Sequence, residues 1–200
     1  IRAAQSLGDI DPESWKRLSG TSRNTLGKYY NPFISHEFLS SMEDSGSATA
    51  KTGWLGHHLL LENASGALVG AIPAYLKNHS KGEYVFDHGW ADAFERAGGH
   101  YYPKLQCSVP FTPATGPRLL VSENEDETRF KALLASGLAQ VTEKIGVSSA
   151  HVTFLEESDL SALLPRDFLH RTDQQFHFIN DGYRDHGDFL DALSSRKRKG

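Results

Sequence analysis

A mixed α/β (α+β) fold, with a largely antiparallel sheet flanked by helices, is the class this sequence predicts. Three observations point there. Helix-period and strand-period segments alternate along the chain; two strand-like runs, Leu55–Glu62 and Ala67–Lys77, are joined by the turn-forming Asn63-Ala-Ser-Gly66; and a long amphipathic stretch carries Phe130, Leu133, Leu134, Leu138, Val141 and Ile145 on one side. With 200 residues, 38% of them hydrophobic and 23% charged, the chain can bury a sizeable core as one domain or two small ones.

The elements follow in order. Asp11-Pro12-Glu13 ahead of Trp15 and Leu18 predicts a short helix with proline near its start. Ser35 is a good N-cap, and Phe38, Leu39 and Met42 line one face, so residues 35–44 form a second helix. The two runs of the hairpin come next. A short helix over Ala91–Ala97 is expected to end at Gly98-Gly99. Lys104–Pro110 and Arg118–Val121 look extended, separated by a loop rich in Pro and Gly. Ser122-x-x-Glu125 resembles a capping box for the long helix that follows. Ala150–Leu155 and Gln174–Ile179 are predicted strands, with a short helix over Asp159–Leu164 stopped by Pro165 between them. Finally Asp188-Phe-Leu-Asp-Ala-Leu193 opens a helix that the chain does not terminate, with Asp188 near its N-cap.

Composition excludes several classes. The apolar-leaning stretch Ala67–Leu76 is broken by Gly70 and Pro73, well short of the ~20 residues that a transmembrane helix needs. Cys107 stands alone, and the first residues lack a signal-peptide pattern, so a reducing, cytoplasmic compartment is expected. Four of the 21 basic residues lie in Arg196–Lys199, which leaves 17 basic against 25 acidic side chains over the rest, a net charge of −8. Nucleic-acid binding is not expected of so acidic a body, because phosphate contacts require a basic face. The basic cluster alone could be a nucleic-acid arm, but the exposed last turn of a helix, favoured by the macrodipole, is the stronger reading. No G-x-S-x-G, G-x-x-x-x-G-K-[ST], Rossmann glycine triplet, H-E-x-x-H or C-x-x-C occurs. The adjacent His57 and His58 would point to opposite faces of a strand, and no metal site is expected.

Three segments concentrate residues that are costly to place without purpose. In Gly82-Glu-Tyr-Val-Phe-Asp87-His88-Gly-Trp90, Asp87 could orient His88 and raise its basicity, a pairing suited to base catalysis; the competing reading is an N-capping aspartate beside a packed Trp90. Tyr101, Tyr102, Lys104 and Gln106 could line a polar pocket, or the tyrosines could be packing. Pro110-Phe-Thr-Pro-Ala-Thr-Gly-Pro-Arg118 is a stiff loop in which Arg118 could clamp an anion or merely complete a turn. His177, between Phe176 and Phe178, would face away from an apolar strand surface.

At these segments a family pattern emerges. Asn31-Pro-Phe33, Thr52-Gly-Trp54, Pro73-x-Tyr75-x-Lys77-x-His79-Ser80-x-Gly82-Glu-Tyr-Val-Phe-Asp87, Tyr101-Tyr-Pro-Lys-Leu105, Pro110-Phe-Thr-Pro113 with Gly116-Pro-Arg118, and Gln175-Phe-His177 resemble the bacterial FemAB-like family of N-acyltransferases linked to peptidoglycan building or recognition. The resemblance runs from about Asn31 to the end of the chain. It implies a GNAT-like fold built as two similar domains in tandem, of which residues 1–185 would be the first and 186–200 the start of a helix opening the second. It further implies transfer of an acyl group, as in N-acetyltransferases, from an acyl-CoA-type donor to the amine of a small molecule, peptide or glycan. Asp87 and His88 would be catalytic, and Trp90, Tyr101, Tyr102, Lys104, Gln106, Arg118 and His177 would contact substrate. An R/Q-x-x-G-x-G/A loop for pantetheine is missing, since Arg96-x-x-Gly99 continues as His-Tyr, so the donor would be held mainly outside these residues and this portion alone would be inactive. A Fem-type transferase using aminoacyl-tRNA and a non-catalytic recognition module are the alternatives; the pattern leaves oligomeric state open.

Overall fold

The computed structural model describes residues 1–20, 30–85, 87–196 and 198. They divide into two compact units, Ile1–Leu169 and His170–Gly200.

The first unit opens with strand β1 (Arg2–Ala4) and helix α1 (Pro12–Ser19). Asp11 caps α1 by accepting the Ser14 N–H at 2.8 Å, and Gly20, at φ 68°, closes it. Helix α2 (His36–Asp44) starts at Ser35, whose hydroxyl accepts the Phe38 N–H. Both helices therefore begin and face as their sequence signals predict.

The hairpin is more elaborate than two strands. Each arm is split: the first into β2 (Leu55–Gly56) and β3 (His58–Glu62), the second into β4 (Leu68–Ile72) and β5 (Tyr75–Lys77). The breaks fall opposite each other, at His57 and at Pro73-Ala74. Pro73 has no N–H to give the ladder, and the Ala74 N–H goes to the ring Nδ1 of His58 at 3.3 Å, while His57 N–H still reaches the Ala74 carbonyl at 2.8 Å. Sheet pairing thus passes from one four-stranded sheet to another through a kink. The turn is as expected: Asn63 Oδ1 accepts the Ser65 and Ala67 N–H groups, and Gly66 takes φ 81°.

Helix α3 (His88–Arg96) begins earlier than its apolar pattern suggests, then β6 (Lys104–Cys107), β7 (Leu120–Val121), the long helix α4 (Glu127–Ile145), β8 (Ala150–Val152) and α5 (Glu157–Leu163) follow. The first sheet has the order β1-β3-β4-β7 and is antiparallel; the second has the order β2-β5-β6-β8, with β6 and β8 parallel and the rest antiparallel. The fold class is therefore mixed α/β with largely antiparallel sheets. Alternation along the strands sends Leu60, Ala71 and Leu120 to a core shared with Trp15, Leu18, Ile34 and Leu39 of the α1 and α2 layer. Leu59, Ile72, Leu105 and Cys107 join a second core with Leu134 and Leu138 of α4. Burial raises the Cys107 thiol to about 12, so it is a packing group.

Several expectations need correction. Ser122 does not cap α4: Ser122 and Glu125 form a turn, and Asp126 accepts the Arg129 N–H at 3.1 Å, because the capping residue must stand directly before the first helical turn. Lys104–Pro110 and Ala150–Leu155 are strands only over β6 and β8. Gln174–Ile179 forms no strand; its alternating Phe176 and Phe178 are exposed, and among the described residues it has no ladder partner, without which period-2 alternation cannot make a strand. In the second unit, helix α6 (His186–Ala192) is capped by Asp185 rather than started near Asp188, whose carboxylate instead pairs with Arg184, and it ends at Leu193 in extended backbone. Arg196 therefore lies beyond its last turn, and Lys197 and Lys199 lie outside the described residues. No helix among the described residues is long and apolar enough to cross a membrane.

Candidate functional site

The functional geometry grows out of strand parity. On β6, Leu105 and Cys107 turn toward α4, so Lys104 and Gln106 must turn to the other face. Cross-strand register sets Lys77 of β5 opposite Lys104 and Tyr75 opposite Gln106. Two lysines thus stand side by side on one buried sheet face, and both are fully buried. Buried ammonium groups require compensation. The segment between β5 and α3 supplies it.

Lys104 Nζ donates to Asp87 Oδ2 at 2.6 Å, to Glu83 Oε2 at 2.7 Å and to Ser80 Oγ at 2.9 Å, which commits all three of its protons. Tyr101 donates its phenol proton to the same Asp87 oxygen at 2.8 Å, and Ser80 shares a hydrogen bond with the half-buried Tyr102 hydroxyl at 2.8 Å. Lys77 sits 4.0 Å from Glu83 Oε1, with Nζ 3.6 Å from the centre of the Trp54 ring and a hydrogen bond to the Lys81 carbonyl. Two cations and two carboxylates give a neutral cluster. Yet Glu83 Oε1 and Asp87 Oδ1 are buried and accept no hydrogen bond, which is costly for a carboxylate.

The two acids differ electrostatically. Burial alone would raise Asp87, but the bonds from Lys104 and Tyr101, with the Ser80 hydroxyl nearby, outweigh it and hold the carboxyl down at about 2. Burial raises Glu83 above the usual glutamate range against the opposing pull of Lys104 and Lys77. Burial likewise lowers Lys77 to about 8, and burial with the Asp87 bond pushes the Tyr101 phenol well above its usual value.

Of the residues singled out by sequence, Asp87, Tyr101, Tyr102 and Lys104 meet here. His88 does not pair with Asp87: the Asp87 side chain turns inward to Lys104, and His88 is exposed on α3. Asp87 does not cap α3 with its side chain either. Trp90 is 63% exposed on the same helix. Gln106 lies on the same sheet face and donates to Thr153 Oγ1 at 3.0 Å. Arg118 gives its guanidinium to the carbonyls of Ala114, Gly116, Pro117 and Thr153, so it fastens its own loop rather than presenting an anion clamp. His177 belongs to the second unit and bonds Gln175 at 2.7 Å. Sequence reading quoted Lys77, Ser80 and Glu83 within its motifs but named none of them as a site residue. The available signal was the alternation Tyr75-x-Lys77, which sets Lys77 on the face of a residue too large and apolar to be left outside.

Other polar clusters are structural. His58 accepts the Ala74 N–H through Nδ1, which leaves Nε2–H to donate to Glu43 at 2.8 Å; Asp159 accepts the Arg118 N–H and pairs with Lys131 at 2.8 Å. A surface cavity of about 560 Å³ lies apart from the lysine pair, between the end of α1 and the Ala114–Pro117 loop. No group of His, Cys, Asp and Glu among the described residues has the arrangement to hold a metal ion.

Comparison with known proteins agrees with the motifs. The family model for FemAB-like proteins, described as peptidoglycan biosynthesis/recognition, matches residues 6–200. No curated protein and no solved structure matches the chain significantly. With the match spanning nearly the whole sequence, the chain belongs to the FemAB-like family, whose role is peptidoglycan-related.

Proposed function

We propose that this chain is the acceptor-side domain of an N-acyltransferase that acts on an amine of a peptide or glycan related to peptidoglycan, with an acyl-CoA-type donor. The observation that carries the reading is the pair of buried, unpartnered carboxylate oxygens, Glu83 Oε1 and Asp87 Oδ1, beside a lysine whose protons are all committed. Oxygens that can only accept call for a ligand that donates, and a primary ammonium donates three times. Asp87, ionised at any physiological pH, supplies fixed charge. Glu83, raised above the usual range, is the better proton acceptor and would free the nitrogen lone pair for attack on the acyl carbon. Lys104 keeps both acids in place.

Acyl-CoA, when bound, supplies the activated carbonyl. The described residues do not fit its pyrophosphate: Arg96-x-x-Gly99 lies at the C-terminal end of α3, where carbonyls rather than N–H groups point outward. The acidic body favours a small thioester over aminoacyl-tRNA.

Calorimetric titration with a peptidoglycan stem peptide bearing a free amine, and with its N-acetylated form, tests the reading. The free amine should bind at least about tenfold more tightly, a difference of ~1.4 kcal/mol. Equal binding of the two forms, or none of either, would refute it.

A further inference from the structure

The Lys77–Glu83 pair is unlike its neighbours. Lys104 meets its acids at 2.6 and 2.7 Å, whereas Lys77 stands off at 4.0 Å. Both members of the loose pair are buried and both have bonding capacity left over. Glu83 Oε1 accepts no hydrogen bond, and Lys77, with three protons, donates one to the Lys81 carbonyl. A buried ion pair normally closes to bonding distance, since separation forfeits attraction that desolvation has already made costly. Here Lys77 rests on the Trp54 ring instead.

We infer that Lys77 and Glu83 form an exchangeable ion pair that opens around a zwitterion, the ligand's ammonium binding Glu83 Oε1 and its carboxylate binding Lys77 Nζ. The inference rests on the acceptor-site reading and names its substrate class: a molecule carrying an amine and a carboxylate on one carbon. A zwitterion brings one positive and one negative charge, so total charge in the cluster stays zero, and Glu83 and Lys77, which stand 4.0 Å apart, each gain a charge-assisted hydrogen bond. Lys104 cannot take the carboxylate, because its three protons are committed to Ser80, Glu83 and Asp87. Around Glu83 the charged groups are Lys104, Lys77 and Asp87, so Lys77 is the one cation among them with protons to spare. A free amino acid and the distal end of a diamino acid within a peptide share this chemistry.

Calorimetry with four small probes separates the contributions: alanine carries both groups, ethylamine the amine alone, alaninamide the amine without the carboxylate, and N-acetylalanine the carboxylate alone. Alanine should bind about tenfold more tightly than ethylamine or alaninamide, and N-acetylalanine weakest of all. Lys77→Met should erase the advantage of alanine while ethylamine binding persists. Should that variant not fold, the Trp54 indole N–H resonance of the unaltered chain replaces it, moving with alanine and not with ethylamine. A peptide-borne diamino acid that outbinds alanine assigns the zwitterion to a peptide; the reverse assigns it to a free amino acid. Equal binding of alanine and ethylamine, or an alanine preference that survives Lys77→Met, overturns the exchangeable pair and leaves the amine site standing. No binding of either amine overturns both.

Discussion

Replacing Lys104 with methionine is the sharpest perturbation of this fold. The side chain is similar in length and apolar, so shape is kept while one ammonium disappears. What remains is two buried carboxylates, Glu83 and Asp87, that have lost bonds of 2.7 and 2.6 Å, and a Ser80 hydroxyl without its donor. Breaking a buried ion pair by removing one partner costs about 3–5 kcal/mol, largely from the charge left behind. In a domain of this size each 1 kcal/mol moves Tm by ~2–4 °C, so the variant should melt about 10 °C lower at neutral pH. The loss should depend on pH. Without Lys104 burial leaves both acids with folded pKa values raised above their unfolded ones, so the penalty is present at neutral pH and relieved as pH falls through those raised values. Adding Glu83→Gln and Asp87→Asn to Lys104→Met should recover much of the stability by removing the uncompensated charge. Urea denaturation followed by circular dichroism reads all three effects. A Lys104→Met chain within ~1 kcal/mol of the parent at neutral pH, or a gap that ignores pH, would refute the reasoning.

Other outcomes follow from the same geometry. Asp87, held at about 2 against an ordinary 3.8, stabilises the fold by about 2 kcal/mol above pH ~4, and this is lost as pH falls toward 2; Asp87→Asn should remove that acid-limb dependence in a denaturation series. Amine binding should weaken as pH falls through the raised Glu83 value, not at the much lower value of Asp87, and calorimetry across the acidic range distinguishes the two. Arg118→Ala should destabilise by about 2–4 kcal/mol through the carbonyls it leaves unpaired, yet leave amine affinity unchanged; a large loss of affinity would restore Arg118 to the binding site. Acetyl-CoA should bind this chain no more tightly than about millimolar by calorimetry, because Arg96-x-x-Gly99 stands at the wrong end of its helix.

Local chemistry was legible in the sequence where the answer is local. Asp11 with Pro12, Ser35, and Asn63 with Gly66 each act within four residues through their own side chains, so caps and turn could be read directly. Strand pairing is not local. Nothing near Gln174–Ile179 reveals whether a partner ladder exists, and the kink at Pro73 becomes a passage between sheets only because His58, far earlier in the chain, receives the Ala74 N–H. The site divides in the same way. Asp87, Tyr101, Tyr102 and Lys104 stood out as dense chemistry, but the pairing of Asp87 with the adjacent His88 followed chain order, whereas the fold pairs it with Lys104 across seventeen positions. Lys77 and Glu83 lay inside the quoted motifs without a site role because sequence does not state burial. Parity on β5 and the register of β6 are what turn them inward.

In the proposed function Glu83 and Asp87 offer their unpartnered oxygens to an amine. A crystal structure of the chain with a saturating primary amine measures this directly. The ligand nitrogen should lie within about 3.2 Å of Glu83 Oε1 or Asp87 Oδ1, with the Lys104 bonds to both acids retained. A nitrogen bound elsewhere, with ordered water or a protein donor already on both oxygens, would contradict it.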